Sequence, residues 1–190
     1  MAVATQRMTL EQFLALPETE PPSEFVCGRI MPKPMPTLAH GFLAAWLIRL
    51  IGAYLDAYPI GIVVTEARHA NRDEDRAYLP DVGVILRANV PTSRAAIMRG
   101  PLEMRPDLAI EILSPDDRPG RVADKLALYL RAGVPLTWII DLDDRSLTAY
   151  RPGEPSSVHQ APEVIGAEPV LPGFSLDLGH LFAQLDIADA

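Results

Sequence analysis

The chain has 190 residues, 48% of them hydrophobic, which is enough for one well-buried core and excludes a disordered or fibrous protein. A formal charge of −8 excludes a surface that is basic throughout, because affinity for a phosphate backbone comes mainly from Lys and Arg displacing counterions; a local basic groove stays open. The single cysteine, Cys27, excludes an internal disulfide framework and a Cys-based zinc site, so any metal must be held by oxygen or nitrogen.

Thr9-Leu10-Glu11-Gln12 reads as a capping box opening a short helix that ends near Pro17, so residues 1–22 are expected to form a docking helix and a Pro-rich lead. Residues 23–31 read as one extended segment, with Cys27 packed within it, and Pro32, Pro34 and Pro36 end it. A largely buried helix is predicted over residues 38–57, where Phe42, Trp46, Leu50 and Tyr54 recur every four positions. His40, Arg49 and Asp56 interrupt its apolar run, so it is expected to fall short of a membrane span. With no cleavable signal pattern, a cytoplasmic protein without membrane contact is expected.

From Gly61 the pattern becomes strand-like. Residues 62–68 and 78–87 read as an antiparallel pair across a polar hairpin loop, 69–76. A polar connection with three arginines, 89–105, leads to a third strand, 107–114, stopped by Ser114-Pro115. A helix over residues 121–132 closes at Gly133, and strands follow at 136–141 and 146–150. Residues 151–169 read as a loop-rich insertion; with Leu171-Pro172-Gly173-Phe174 and a short helix to Ala183 they make 151–190 a loop-rich C-terminal extension. The order predicts a single α/β domain, a mixed β-sheet core flanked by helices, in which 107–141 is a parallel crossover.

Two acids stand in apolar, strand-like surroundings where a carboxylate is costly unless something pairs with it: Asp81, after Leu79-Pro80, and Glu111, in Asp107-Leu108-Ala109-Ile110-Glu111-Ile112. Strand alternation sets Glu111 opposite to Leu108, Ile110 and Ile112. If their strands are neighbours, the two acids meet at one edge, and a divalent cation removes the repulsion between them. Oxygen ligands suit Mg²⁺ or Mn²⁺. Lys125, on the next helix, borders a core-facing stripe of Val122, Leu126, Tyr129 and Leu130; it can stabilise developing charge or help deprotonate a water, or simply be a surface lysine paired with Asp124 or Glu111.

Several ordered segments carry a resemblance: Met8-Thr9-Leu10-Glu11-Gln12-Phe13, Ser23-Glu24-Phe25-Val26-Cys27-Gly28-Arg29-Ile30, His40, Pro80-Asp81-Val82, residues 106–115, Lys125-Leu126-Ala127-Leu128-Tyr129, Ala132-Gly133-Val134-Pro135 and Trp138. In these the chain resembles the Uma-type restriction-endonuclease family, long catalogued as a domain of unknown function, within the PD-(D/E)XK nuclease superfamily. The likeness runs from about residue 8 to residue 174. It implies a restriction-endonuclease-like core in which Asp81, Glu111 and the Ile112 backbone carbonyl bind Mg²⁺ or Mn²⁺ and DNA is the substrate. The superfamily's catalytic lysine, two residues after the second acid, is replaced here by Leu113; the resemblance places it instead at Lys125. It also implies that Glu24 is an additional ligand or water-orienting acid, and that His40 touches a phosphate or caps its helix. A homodimer follows by analogy with nucleases that cut two strands.

Duller assignments fit the remaining acids. Glu66 is expected to pair with Arg68, Asp107 to end a loop, Asp116 and Asp117 to sit at the N-terminus of the lysine-bearing helix, and Asp141, Asp143 and Asp144 to make a turn. Two other functions remain open: a nuclease-like fold kept as a binding or assembly module, which the acidic charge favours, and a hydrolase of small phosphoesters.

Overall fold

The computed structural model describes residues 7–186 apart from 18, 100 and 116. Helix α1 (Leu10–Leu14) opens on the expected capping box, in which Gln12 N donates to Thr9 Oγ1 at 3.1 Å and Thr9 N donates to Gln12 Oε1 at 2.8 Å. It docks Leu10 and Phe13 on Phe25 and Ala77, with the two phenylalanine rings stacked 5.3 Å apart.

The segment expected to run extended over residues 23–31 is a hairpin, β1 (Ser23–Val26) and β2 (Arg29–Pro32). Cys27 and Gly28 form its two-residue turn at φ 46° and 89°, the pair of positive values that a type I′ hairpin turn requires. Cys27 is thus an exposed turn residue, not a packed strand residue.

Helix α2 (Leu38–Ala57) has the expected bounds, but its buried residues are Leu43, Trp46, Leu47, Ile51 and Leu55. A row spaced strictly by four drifts around a helix by ~40° per step, so the buried line mixes steps of three and four and leaves Phe42, Leu50 and Tyr54 at its margin. Against the sequence expectation, α2 is long and apolar enough to cross a membrane by length and composition, with a mean hydropathy of 1.5 over its best window. Its apolar ridge belongs to the main core, against β3 (Gly61–Thr65) and β6 (Val82–Leu86).

Between those two strands, β4 (His69–Asn71) and β5 (Arg76–Tyr78) pair with each other where a loop was expected, in a small sheet of order β2-β1-β5-β4. The strand expected over residues 78–87 is therefore divided: the chain leaves the small sheet after Tyr78, crosses Leu79-Pro80-Asp81 and enters a second sheet at Val82. Pro80 has no N–H to offer a ladder, which ends pairing at that point.

A short helix α3 (Arg94–Arg99) lies in the polar connection, followed by β7 (Leu108–Ile112), α4 (Pro119–Arg131), β8 (Leu136–Asp141), β9 (Ser146–Tyr150) and β10 (Ser157–Gln160). The six-stranded sheet has the order β10-β9-β8-β7-β6-β3. Strands β7 and β8 are parallel across α4, as expected of a crossover, and the other pairs are antiparallel, so the sheet is mixed. β3 and β6 form the expected antiparallel pair.

Residues 151–186 are not the loop-rich extension expected. Besides β10 they form the hairpin β11 (Val164–Ala167) and β12 (Leu171–Asp177) and the helix α5 (Leu178–Ala183). Ile165, Phe174, Leu176 and Phe182 join Leu47, Ile110 and Trp138 in the main core. The prolines and glycines at 152, 153, 155, 162 and 169 hid this pattern because they punctuate short strands as readily as loops.

The large sheet is thus covered by α2, the β11–β12 hairpin and α5 on one face, and by α4 on the other. Leu108, Ile110 and Ile112 enter the first layer and Ala109 the second, with Tyr78, Leu128 and Tyr129. Alternation therefore sends Glu111 to the α4 face, as the sequence required.

Asp107 does more than end a loop. It is buried, accepts from Leu86 N at 2.7 Å and from Asn89 Nδ2 at 2.9 and 3.0 Å, and ties the end of β6 to the start of β7. Replacing it with alanine leaves those donors unpaired, so Asp107→Ala is expected to destabilise the fold by about 2–4 kcal/mol in urea unfolding, and Asp107→Asn by less.

Candidate active site

The cleft forms where the two sheets meet, at Leu79-Pro80-Asp81. In the antiparallel register Val82 faces Ile110, so the next ladder position would set Pro80 opposite Ile112. The Asp81 side chain takes that place: Ile112 N donates to Asp81 Oδ2 at 2.8 Å. The N–H and C=O of a strand residue leave on the same edge, so the Ile112 carbonyl is also directed to the β6 side. Asp81 Oδ1 accepts from Lys33 Nζ at 2.7 Å, and His40 Nε2 lies 3.2 Å from Oδ2.

Glu24, on β1, accepts from Leu79 N at 3.2 Å through Oε1. The same oxygen is 2.8 Å from Lys125 Nζ, and Arg121 reaches Oε2 at 3.3 Å. Lys125 Nζ also donates to Glu111 Oε2 at 2.8 Å and to Leu79 O at 3.0 Å. Glu111 Oε1 accepts from the Tyr129 hydroxyl. The structure therefore brings Asp81, Glu111, Lys125, Glu24 and His40 to one cleft, which Ile112 also lines.

Burial and charge act differently on each group. Burial pushes the Glu111 carboxyl up to about 7; the Lys125 charge opposes the rise, and the nearby Asp81 and Glu24 charges add to it. Burial also works against an ionised Asp81, but the His40 hydrogen bond and the charges of Lys33 and Lys125 outweigh it and hold the group well below the usual carboxylate range. Glu24 is likewise held below its ordinary value despite burial, chiefly by Lys125. Lys125 would be lowered by burial alone, yet Glu111, Glu24 and Asp81 together raise it, so at neutral pH it is an ammonium.

Its side chain is only 13% exposed, which removes the surface-lysine alternative, and its partners are Glu111 and Glu24 rather than Asp124. The inner line of α4 is Arg121, Lys125 and Tyr129, each one turn apart; Leu126 and Leu130, expected in a core stripe, are only half-buried. α4 covers a site instead of a uniformly apolar core.

His40 does not cap its helix: Thr37 is the N-cap and its hydroxyl accepts from His40 N, which frees the imidazole for Asp81. Glu66 sits at φ 47° just past β3 and lies 3.5 Å from Lys33, not against Arg68, whose guanidinium stacks on Phe13. Asp117 accepts from Ser114 N and caps no helix; the N-cap of α4 is Arg118, and Asp116 lies outside the described residues. Asp141 makes the expected turn by accepting from the backbone N–H groups of Asp143 and Asp144.

Lys33, Arg121 and Tyr129 escaped the sequence reading as site residues. Their only signal was type and spacing: one of two lysines in the chain, and an i, i+4, i+8 line on α4.

Two carboxylates and a backbone carbonyl are hard oxygen donors of the kind that suit Mg²⁺ or Mn²⁺, ions that keep several waters and need few protein ligands. Among the described residues no group of three His, Cys, Asp or Glu side chains is placed to hold a metal; the set expected from the sequence resemblance, Asp81, Glu111 and the Ile112 carbonyl, has two side chains and one backbone oxygen, and all three residues line the cleft. Burial, and to a lesser degree the Asp81 and Glu24 charges, make an ionised Glu111 costly, and a bound dication would offset that cost.

A family model described as "Putative restriction endonuclease", Uma2, matches residues 10–179. The chain is also similar to a crystal structure of "a putative nuclease belonging to DUF820" from Anabaena variabilis, with 30% identity over 94% of this chain and 99% of that one and a TM-score of 0.83. No curated protein matches the chain.

The Glu111 shift has a consequence for stability. Between its ordinary value of 4.5 and about 7 the unfolded chain releases a proton that the folded chain retains, so folding stability from this group is complete below pH 4.5 and is lost as pH rises to 7. Urea unfolding at pH 5 and pH 7.5 is expected to show that Glu111→Gln removes this decline, the difference between wild type and variant changing by up to about 3 kcal/mol across the window.

Proposed function

The chain belongs to the Uma2 family, and from that membership together with the geometry of the cleft we propose that it is a divalent-metal-dependent endonuclease that hydrolyses phosphodiester bonds in DNA. The observation that carries the reading is the convergence of Asp81, Glu111 and a buried Lys125 ammonium in one cleft, with Glu24 fixing the lysine.

In this reading Asp81, Glu111 and the Ile112 carbonyl hold Mg²⁺ or Mn²⁺. A dication bound there would neutralise the carboxylates and polarise a phosphoryl oxygen. The chain's own groups do the rest. Lys125 is locked by Glu24, Glu111 and the Leu79 carbonyl, so its ammonium is preorganised to meet negative charge that develops on the phosphoryl group. Its raised pKa makes it a charge stabiliser and a poor proton acceptor at neutral pH. His40 and the Ile112 N–H orient Asp81, and Tyr129 orients Glu111. Arg121, a quarter exposed beside Glu24, supplies positive charge at the rim of an otherwise acidic protein.

Purified protein with Mg²⁺ or Mn²⁺ is expected to nick supercoiled plasmid. Lys125→Ala and Glu111→Gln are each expected to lower the rate by at least ~100-fold while the circular dichroism spectrum is kept. Variants as active as the wild type would remove these residues from the mechanism, and turnover of small phosphoesters without DNA cleavage would reassign the substrate.

A further inference from the structure

Lys33 is the cleft residue whose role the nuclease reading leaves unexplained. Its backbone is fixed: it lies between Pro32 and Pro34, and its N–H donates to Pro22 O at 2.8 Å. Its side chain, 12% exposed, runs inward and places Nζ 2.7 Å from Asp81 Oδ1 and 3.3 Å from Leu79 O. The Asp81 oxygens are not equivalent. Oδ2 is held by the Ile112 N–H, a backbone donor that cannot leave, and by His40; the donor to Oδ1 is the ammonium of Lys33, at the end of a side chain with four rotatable bonds.

A dication that binds Asp81 Oδ1 competes with the Lys33 ammonium, which occupies one lone pair of that oxygen and repels a second cation beside it. Oδ1 becomes available once Lys33 moves. A second acceptor waits for it: Glu66 Oε1 is already 3.5 Å from Nζ, and Glu66 is 48% exposed at the mouth of the cleft, its N–H fixed on Pro80 O at 3.2 Å. The exchange therefore needs a side-chain rotation and no backbone movement.

Resting on the metal-dependent reading above, we infer that Lys33 is an exchangeable internal cation. It neutralises Asp81 while no dication is bound, and it yields Oδ1 to an incoming Mg²⁺ or Mn²⁺ by turning outward to Glu66. Its competition sets the metal concentration at which the site fills. Lys33 meanwhile supplies the Asp81 carboxylate with a close positive charge that the neutral Ile112 N–H cannot provide.

Mn²⁺ titration of the whole chain at pH 7.5 without nucleic acid, followed by the electron paramagnetic resonance of free Mn²⁺, tests this directly. Lys33→Met is expected to bind Mn²⁺ at least ~10-fold more tightly than wild type, since a charged hydrogen bond no longer has to be broken. Lys33→Gln, which keeps a donor without the charge, is expected to move the same way by a smaller factor. Glu66→Gln is expected to weaken Mn²⁺ binding in wild type and to change nothing in the Lys33→Met background, because it acts through Lys33. Wild-type binding with unchanged or weaker binding in both Lys33 variants overturns the inference and leaves the metal site standing. Absence of Mn²⁺ binding in wild type and variants alike overturns both.

Discussion

Leu79, Pro80 and Asp81 carry the chain from one sheet to another, and the backbone groups stranded by that step must find partners. Leu79 N finds Glu24, Leu79 O finds Lys125 and Lys33, and Ile112 N, facing a proline-ended strand, finds Asp81. Each solution brings in a charged side chain, because the neighbouring elements present charges at that level. A discontinuity in hydrogen bonding is thereby converted into a cluster of acids and cations. The site is a consequence of how two sheets are joined, and the same contacts that close the ladder hold the candidate residues in position.

Charges so close together determine one another's state. Asp81 and Glu24 are kept ionised by the cations around them, and those negative charges in turn help keep Lys125 an ammonium. Glu111, on the α4 face, takes the strain of the arrangement: burial and two neighbouring carboxylates outweigh its lysine, and its proton is retained to about pH 7. Tyr129 donates to it and packs edge-on to Tyr78, with ring centroids 5.3 Å apart, so the acid is anchored in the second apolar layer.

Much of this was legible in one dimension. The β-branched runs of β3, β7 and β8, the capping box of α1, the glycine closing α4 and the parallel crossover all follow from local pattern, since period and end signals are short-range properties. The side of β7 on which Glu111 lies followed from alternation alone. Less was legible where the chain is rich in proline and glycine. Residues 157–177 build three strands, and the turn at Cys27-Gly28 splits one expected strand into two, because those residue types permit both a loop and a tight hairpin and only pairing partners decide between them.

By itself the sequence determined the residue types and their order: two acids in apolar strands, a lysine one helix later, a proline before the first acid, and an apolar face that obliges α2 to cover a sheet. Tertiary structure alone decided which charges meet. Lys33 and Asp81 are 48 positions apart, Glu24 and Arg121 are 97 apart, and neither pairing has any local signature. It also decided that Lys125 lies buried between Glu111 and Glu24 and does not point to water. Those facts depend on sheet order and on where the chain changes sheets, and a contact between distant segments is settled by packing and by the need to satisfy buried polar groups, neither of which a linear pattern contains.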